Sequence, residues 1–266
     1  MTAVIINGKQ IAAQFRQELR EKVKQLPSAP VLAVIQVGNN PASTLYVRNK
    51  QKAASEAGIS SCLYSFPEDC TQKEILRQIA ALNRDAAVNG ILVQLPLPNH
   101  LNEAEILESI NPLKDVDGFH PMSQYTPCTP TGIIDYLIEC GFPFEGARAA
   151  VIGRSEIVGK PMAAMLTELD STVTLCHSKT KDLQHHLAYA DLIICAVGKA
   201  NFLDCKDLTK CVIVDVGINF DENGKLVGDC YNCGDNVTPV PGGVGLLTRL
   251  ALLRNTYNAY LNQNKI

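Results

Sequence analysis

The chain has no apolar run long enough to cross a bilayer, and its first residues show no sustained apolar core behind a basic start. Neither a membrane span nor a secretory signal is therefore expected, and a cytoplasmic location follows by default. It also lacks an excess of either charge. Its 24 basic and 27 acidic residues leave a net charge of -3, which removes the electrostatic reason to expect nucleic acid or an anionic membrane as partner. A zinc-type ligand set is missing too: Cys230 and Cys233 form a lone C-x-x-C with no second pair and no nearby histidine, so no metal is expected. The ten cysteines are instead scattered through apolar strands, as in C-V-I-V-D-V at 211 to 216, where cysteine serves as a small hydrophobe. There is no internal repeat and no low-complexity tract.

What remains is an ordinary globular composition, 46% hydrophobic and 19% charged over 266 residues, long enough for two domains. Short β-rich runs alternate with helical patterns, the signature of βαβ units and parallel sheets. A first block predicts strands at 31 to 37, 60 to 65 and 90 to 95, with helices at 9 to 25, 43 to 57 and 72 to 84. A second predicts strands at 149 to 152, 172 to 176, 191 to 197 and 212 to 216, with helices at 161 to 169 and 181 to 189. The proline-rich stretch from Asn111 to Pro130 reads as the connection between blocks. A last helix at 246 to 262 follows P-V-P-G-G-V-G and is expected to pack back on the first block.

Within the first block, P-A-S-T-L-Y-V-R-N-K-Q-K at 41 to 52 sets Tyr46 and Lys50 one helical turn apart, on one face. Ser43 suits the cap of this helix, and Ala53, Ala54 and Ala57 keep it narrow enough to pack closely on a sheet. Two readings of Lys50 stand at this point: a stem that snorkels to solvent, or an amine partly withdrawn from water and able to exchange protons near neutral pH. V-Q-L-P-L-P at 93 to 98 ends an apolar strand at Gln94, whose amide needs either backbone partners or a lysine amine. K-D-V-D-G-F-H-P at 114 to 121 offers Asp115 and Asp117, either as plain turn residues or as a carboxylate able to grip an amino-pyrimidinone edge.

In the second block, A-A-V-I-G-R-S-E-I-V-G-K-P at 149 to 161 runs strand, glycine turn, helix start, with Pro161 suited to the first helical position. Gly153 and Gly159 would let backbone approach a pyrophosphate, although the spacing is G-x-S-x-x-x-G; a bare glycine turn is the alternative. An NAD site usually carries an acid at the end of the next strand. Here that strand ends Cys176-His177-Ser178-Lys179-Thr180, and Arg154, Ser178 and Lys179 suit a 2′-phosphate, which points to NADP. Gly198 in A-V-G at 196 to 198 and Ile218 in V-G-I-N at 216 to 219 follow further strand ends, where such sheets line a ligand crevice.

Taken in order, these segments resemble the bifunctional methylenetetrahydrofolate dehydrogenase/cyclohydrolase family of one-carbon metabolism. The matching motifs are those at 37 to 52, 90 to 98, 114 to 121, P-C-T-P-T-G at 127 to 132, 151 to 161, T-V-T-L-C-H-S-K-T at 172 to 180 and T-P-V-P-G-G-V-G at 238 to 245, nearly the whole chain. The resemblance implies two α/β domains flanking a cleft, the C-terminal one a Rossmann-like doubly wound parallel sheet. It assigns residues 1 to 120 with the helix at 246 to 266 to folate binding and catalysis, and 121 to 245 to NADP. Lys50 matches the family's catalytic lysine, Gln94 the glutamine that tunes it, Tyr46 the ring under the folate and Asp117 the acid that holds the pterin edge. Gly153, Arg154, Ser155, Ser178, Gly198 and Ile218 match cofactor positions, Thr129 and Thr248 lie near the nicotinamide, and Pro241, Gly242 and Gly243 form a floor between the two sites. A homodimer, tetrahydrofolate one-carbon substrates and a role in purine biosynthesis come with the family.

Three departures stand against this. Only M-S-Q-Y-T remains where the family carries a longer segment after His120-Pro121, the stretch C-Y-N-C-G-D-N-V after Asp229 is abbreviated, and G-P-M-T reads Gly245-Leu246-Leu247-Thr248. None removes an assigned residue. They leave open an enzyme with one activity only, or a non-catalytic NADP-binding regulatory homologue. A dehydrogenase for an unrelated small acid is disfavoured, since no Arg and His pair stands beside the strand ends.

Overall fold

The computed structural model describes residues 8–266. It divides into two compact units: one comprises the chain up to Ala13 with Thr129–Thr248, the other Gln14–Cys128 with Arg249–Ile266. The boundaries fall inside helices α1 (Gly8–Lys24), α5 (Cys128–Glu139) and α8 (Val244–Asn264).

The second of these units is built on three parallel strands, β1 (Val31–Val37), β2 (Ser60–Phe66) and β3 (Gly90–Val93), in the order β2-β1-β3. Central β1 is apolar except for buried Gln36, because both its faces are covered. Leu32 and Val34 share one core with Leu19 and Val23 of α1, with Val47 and Ala54 of α2 (Pro41–Glu56), and with Ala251, Leu252 and Ala259 of α8. Ala33, Ile35 and Val37 face the other way, onto Ile75, Ile79 and Leu82 of α3 (Gln72–Arg84) and Ile106 and Leu107 of α4 (Glu103–Glu108). The period-two alternation of β1 thus decides which helices lie on which side. The last helix packs on this first sheet, as its sequence suggested.

The other unit holds four parallel strands, β4 (Arg148–Ile152), β5 (Thr172–Cys176), β6 (Leu192–Cys195) and β8 (Val212–Asp215), in the order β5-β4-β6-β8. Helix α6 (Gly159–Glu168) packs on β4 and β5, burying Met162 and Leu166 completely, and α7 (Leu183–Leu187) buries Leu187 on the opposite face with Ile193 and Ile213. Short strands β7 (Leu203–Asp204) and β11 (Cys230–Tyr231) pair in parallel, while β9 (Asn219–Phe220) and β10 (Leu226–Val227) form a small antiparallel ribbon.

Three local readings change. Helix α2 begins at Pro41, and its cap is Asn40, whose Oδ1 accepts the Ser43 N–H at 3.3 Å, so Ser43 is inside the helix rather than capping it. Helix α6 begins at Gly159, which puts Pro161 at its third residue, where a missing N–H still costs no intrahelical bond. The connecting stretch does not stay irregular to its end: α5 starts at Cys128, with Pro130 in its first turn.

Candidate active site

In the unit built on β1 to β3, the chemistry gathers at the carboxyl ends of the strands, as an open parallel sheet predicts. Helix α2 leaves the end of β1 and carries Tyr46 and Lys50, both half-buried, on the flank of its buried Val47 and Ala54 stripe. The Lys50 Nζ donates to Gln94 Oε1 at 3.0 Å. Gln94 follows β3 directly, its own N–H bonded to the Ile35 carbonyl of β1 at 2.8 Å, and its Nε2 donates to the Leu95 carbonyl at 2.6 Å. Both amide atoms are therefore fixed, and the oxygen is left facing the amine. The snorkelling reading of Lys50 is replaced by a paired one.

Asp117 arrives by a third route. The Ile91 N–H donates to the Lys114 carbonyl at 2.7 Å and Ile91 bridges Asp115 in parallel, so residues 114 to 116 run beside β3 like a further strand and deliver Asp117 to the same end. Burial pushes its carboxyl above the ordinary carboxylate range, while Lys50 and a hydrogen bond with the Cys128 thiol pull it back down. Lys50 thus has the Gln94 amide oxygen as its hydrogen-bond acceptor, and the charge of the nearby Asp117 carboxyl acts on the same amine. Burial likewise raises the Tyr46 phenol, opposed by the charge of Arg249 on α8.

Several residues that hold this arrangement, Asp115 apart, carried no sequence signal. Buried Lys114 donates to the Leu82 and Asp85 carbonyls at 2.9 and 2.6 Å, closing the C-terminal end of α3 and anchoring the start of the Asp117 segment. Asp115 Oδ2 accepts the His120 N–H at 2.8 Å. Buried Asn255 of α8 donates through Nδ2 to the Val116 and Thr126 carbonyls at 3.0 and 3.2 Å, tying both arms of the turn together. The shortened stretch 122 to 126 is a hydrogen-bonded turn: the Ser123 hydroxyl donates to the Asp115 carbonyl at 3.0 Å, and Tyr125 OH to the Leu113 carbonyl at 3.2 Å. It rests directly on Gly118, where φ is +76° and a Cβ would stand 2.7 Å from backbone of residues 125 to 127. Beside this short turn Lys50 and Gln94 meet at 3.0 Å.

In the other unit the site is made mainly of backbone. Gly153 follows β4 at φ +118°, and a Cβ there would fall 2.1 Å from the Ala196 carbonyl oxygen; one on Gly159 would fall 2.0 Å from the Gly153 oxygen. The turn can close only because both are glycine. Ser155 Oγ accepts the N–H groups of Val158 and Gly159 at 3.2 and 3.3 Å, which leaves its proton to donate outward at the start of α6. Arg154 and Ser178 are exposed at the ends of β4 and β5, and Ile218, also exposed, follows β8. The Thr248 hydroxyl donates to Thr129 Oγ1 at 3.3 Å, and Gly132 lets α5 lie against Leu247, so the two threonines do come together. Pro241, Gly242 and Gly243 belong to this unit and precede α8; Gly242 holds φ +112°, and a Cβ on Gly243 would fall 2.7 Å from the Pro239 oxygen.

Two buried acids hold the strand-end loops here. Asp229 Oδ2 accepts the Val197 and Gly198 N–H groups at 2.7 and 2.9 Å, and its Oδ1 accepts the Lys199 N–H and the Asn219 amide at 2.9 Å each. Asp215 accepts the N–H groups of Gly217, Asp229 and Cys230, all at 2.9 Å. Each acid fits because the other's neighbour is glycine: a Cβ on Gly228 would fall 1.8 Å from Asp215 Oδ2, and one on Gly217 2.3 Å from Asp229. A close glycine turn, an outward hydroxyl and an exposed guanidinium fit the phosphates of a dinucleotide, and exposed Ile218 offers a flat ring an apolar surface.

Residues 6–117 match the model of the tetrahydrofolate dehydrogenase/cyclohydrolase catalytic domain, and residues 127–264 that of the same family's NAD(P)-binding domain. The bifunctional protein FolD of Nitrosomonas europaea is 47% identical, over 97% of this chain and 94% of its own. The crystal structure of the bifunctional FolD enzyme of Campylobacter jejuni superposes with a TM-score of 0.91 at 46% identity, covering 96% of this chain and 98% of that one. The Trypanosoma brucei methylenetetrahydrofolate dehydrogenase-cyclohydrolase, solved with NADP and an inhibitor, gives a TM-score of 0.93 at 32% identity, covering 99% of each. With both domain models matched in order around the Lys50–Gln94 pair and the Gly153 turn, the chain belongs to the tetrahydrofolate dehydrogenase/cyclohydrolase family.

Proposed function

We propose that this protein oxidises 5,10-methylenetetrahydrofolate to 5,10-methenyltetrahydrofolate with NADP and hydrolyses that product to 10-formyltetrahydrofolate. The observation that carries the reading is the Lys50 Nζ held at 3.0 Å from Gln94 Oε1 with the Asp117 carboxyl acting on the same amine. NADP, when bound, supplies the acceptor for the hydride leaving the one-carbon bridge. The chain's part in that step is alignment: the Tyr46 ring supports the folate rings, and Asp117 accepts paired hydrogen bonds from the pterin edge. Arg154 and Ser178 take the 2′-phosphate, Ser155 and the Gly153 turn the pyrophosphate, and Gly198, Ile218, Thr129 and Thr248 the remainder of the cofactor.

Hydrolysis needs proton transfer. Water adds to the methenyl carbon and gives up both its protons, one to N5 as the bond from that carbon to N5 breaks and one to solvent, and the formyl group stays on N10. Lys50 carries the proton between these positions, and Gln94 sets the direction of its N–H bonds. Pro241, Gly242 and Gly243 complete the substrate surface in this reading. Apart from Pro241, Gly242, Gly243 and Thr248, residues 1 to 120 with 246 to 266 serve folate chemistry and 121 to 245 serve NADP.

A cytoplasmic homodimer that supplies formyl groups to purine biosynthesis belongs to the same proposal; free cysteines throughout the chain suit a reducing compartment. The test is a coupled assay with purified protein, methylenetetrahydrofolate and NADP. Methenyltetrahydrofolate absorbance should rise and then decay, and a preparation showing neither phase would rule the reading out.

A further inference from the structure

One buried polar side chain takes no part in the chemistry above. Gln36 interrupts the apolar sequence of central β1 and is only 5% exposed. It lies two residues beyond Val34 and so on the same face of the sheet, the face covered by α2. The ladder that pairs Val34 with Leu92 and Ile35 with Val93 continues through the Gln94 N–H on the Ile35 carbonyl at 2.8 Å, which brings Gln36 level with Gln94. The Gln36 amide nitrogen donates to the Gly38 carbonyl at 3.2 Å and to Thr44 Oγ1 at 2.9 Å. A carbonyl can only accept, so the Gly38 contact fixes which end of the amide is nitrogen, and the bond to Thr44 runs from strand to helix.

These bonds close a circuit. It passes from Gln36 to Thr44 in the first turn of α2, along the helix by about 9 Å to Lys50, across to Gln94 at 3.0 Å, and back to the Ile35 carbonyl beside Gln36. The contacts of Val47 and Ala54 press α2 onto the sheet, but apolar contact is non-directional and does not fix where along the sheet the helix begins. The Gln36–Thr44 bond does. We propose that Gln36 is a positioning residue for Lys50: through Thr44 it ties the first turn of α2 to the end of β1 and so sets the lysine amine against the Gln94 oxygen. The effect on proton transfer rests on the reading of Lys50 as proton carrier; the placement of the amine does not.

Two variants break the same bond from opposite ends, Gln36→Leu inside the sheet and Thr44→Val on the exposed side of the helix, where the fold is not at stake. The full-length proteins are acylated briefly with acetic anhydride and mapped by mass spectrometry, with exposed Lys52 as internal control. Lys50 should label more slowly than Lys52 in the wild type. In either variant it should label faster by about threefold or more, the size of one neutral hydrogen bond, with Lys52 unchanged. The double variant should label no faster than the singles, because both residues act through one bond. Lys50 labelling in Thr44→Val equal to wild type, or additive effects in the double variant, would overturn the proposal, even for a wild type that proved inactive on folate. The second readout is the ratio of hydrolysis kcat to dehydrogenase kcat, expected to fall by about threefold or more in both variants. Partial unfolding lowers the two activities in proportion and leaves their ratio unchanged. An unchanged ratio beside faster Lys50 labelling would overturn the link to proton transfer.

Discussion

The two candidate sites are built on opposite plans. Around Lys50 the working atoms belong to side chains, each held by one or two bonds and half-buried: a lysine amine on an amide oxygen, and a carboxyl raised by burial and lowered by that amine. Around Gly153 the cradle is mostly backbone, joined by the Ser155 hydroxyl and the exposed Arg154 and Ser178 side chains, and the loops are held by buried acids. Asp229 alone receives four hydrogen bonds from the loops it shapes. The contrast follows from the tasks. Proton transfer needs groups whose charge can change, whereas a dinucleotide needs a rigid cradle of N–H groups. Substitution at the first site should therefore remove activity and spare the fold, and substitution of the second site's supports should do the reverse.

The largest effect tests the first half of that statement. Lys50→Ala should lower methenyltetrahydrofolate hydrolysis by roughly 100- to 10,000-fold, the range that positioned general acid–base groups contribute. Dehydrogenase turnover should fall less, because hydride transfer asks Lys50 only for alignment, and the urea midpoint should stay near wild type. Equal small losses in both activities would remove Lys50 from the proton path.

Next comes the mirror experiment. Gly228→Ala places a methyl group where Asp215 Oδ2 now lies, 1.8 Å away, and Asp215 cannot retreat without giving up three N–H donors. A loss of at least about 3 kcal/mol is expected in denaturant unfolding, from overpacking joined to a broken buried network. Wild-type stability in this variant would show that the Asp215–Asp229 framework is more compliant than its geometry implies. Arg154→Ser sits on the same unit but outside its framework. It should weaken NADP by about tenfold, as expected for losing one charge-assisted phosphate contact, and leave NAD binding and unfolding almost unchanged.

The same contrast explains what the sequence could reveal. Lys50, Gln94 and Asp117 could be singled out because each closes or follows a recognisable element: an i, i+4 helix face, a strand stopped by prolines, an Asp-Gly turn; their roles came only from the family resemblance. Gly153 and Gly159 were legible because close backbone approach demands glycine. Asp215 and Asp229 were not, since their meaning lies in a reciprocal fit with Gly228 and Gly217 that only the folded chain brings together. Asn255 was hidden for the same reason, its partners Val116 and Thr126 being far away in sequence. Helix α5 was missed because its first residues, Cys128 to Pro130, end a proline-rich stretch that reads as connection until the fold shows Pro130 sitting harmlessly in a first turn.

The smallest expected effect asks whether the first site sacrifices stability for function. Burial raises the Asp117 carboxyl above its ordinary value, so the folded chain holds that proton more tightly than the unfolded chain does. Between the unfolded and folded values the native state binds more protons, and stability falls as pH rises through that window. At neutral pH the ionised Asp117 is thus a net burden on the ligand-free fold despite Lys50. Asp117→Asn, which keeps the shape and removes the charge, should unfold at slightly higher urea than wild type at pH 7, with the gap closing as pH drops through the carboxylate range. The same variant should lose folate affinity, because an amide cannot accept a pair of hydrogen bonds as a carboxylate does. A variant less stable than wild type at pH 7 would mean that Lys50 and Cys128 more than offset the cost of burying the charge, and that this site, like its counterpart, is held together by its acid.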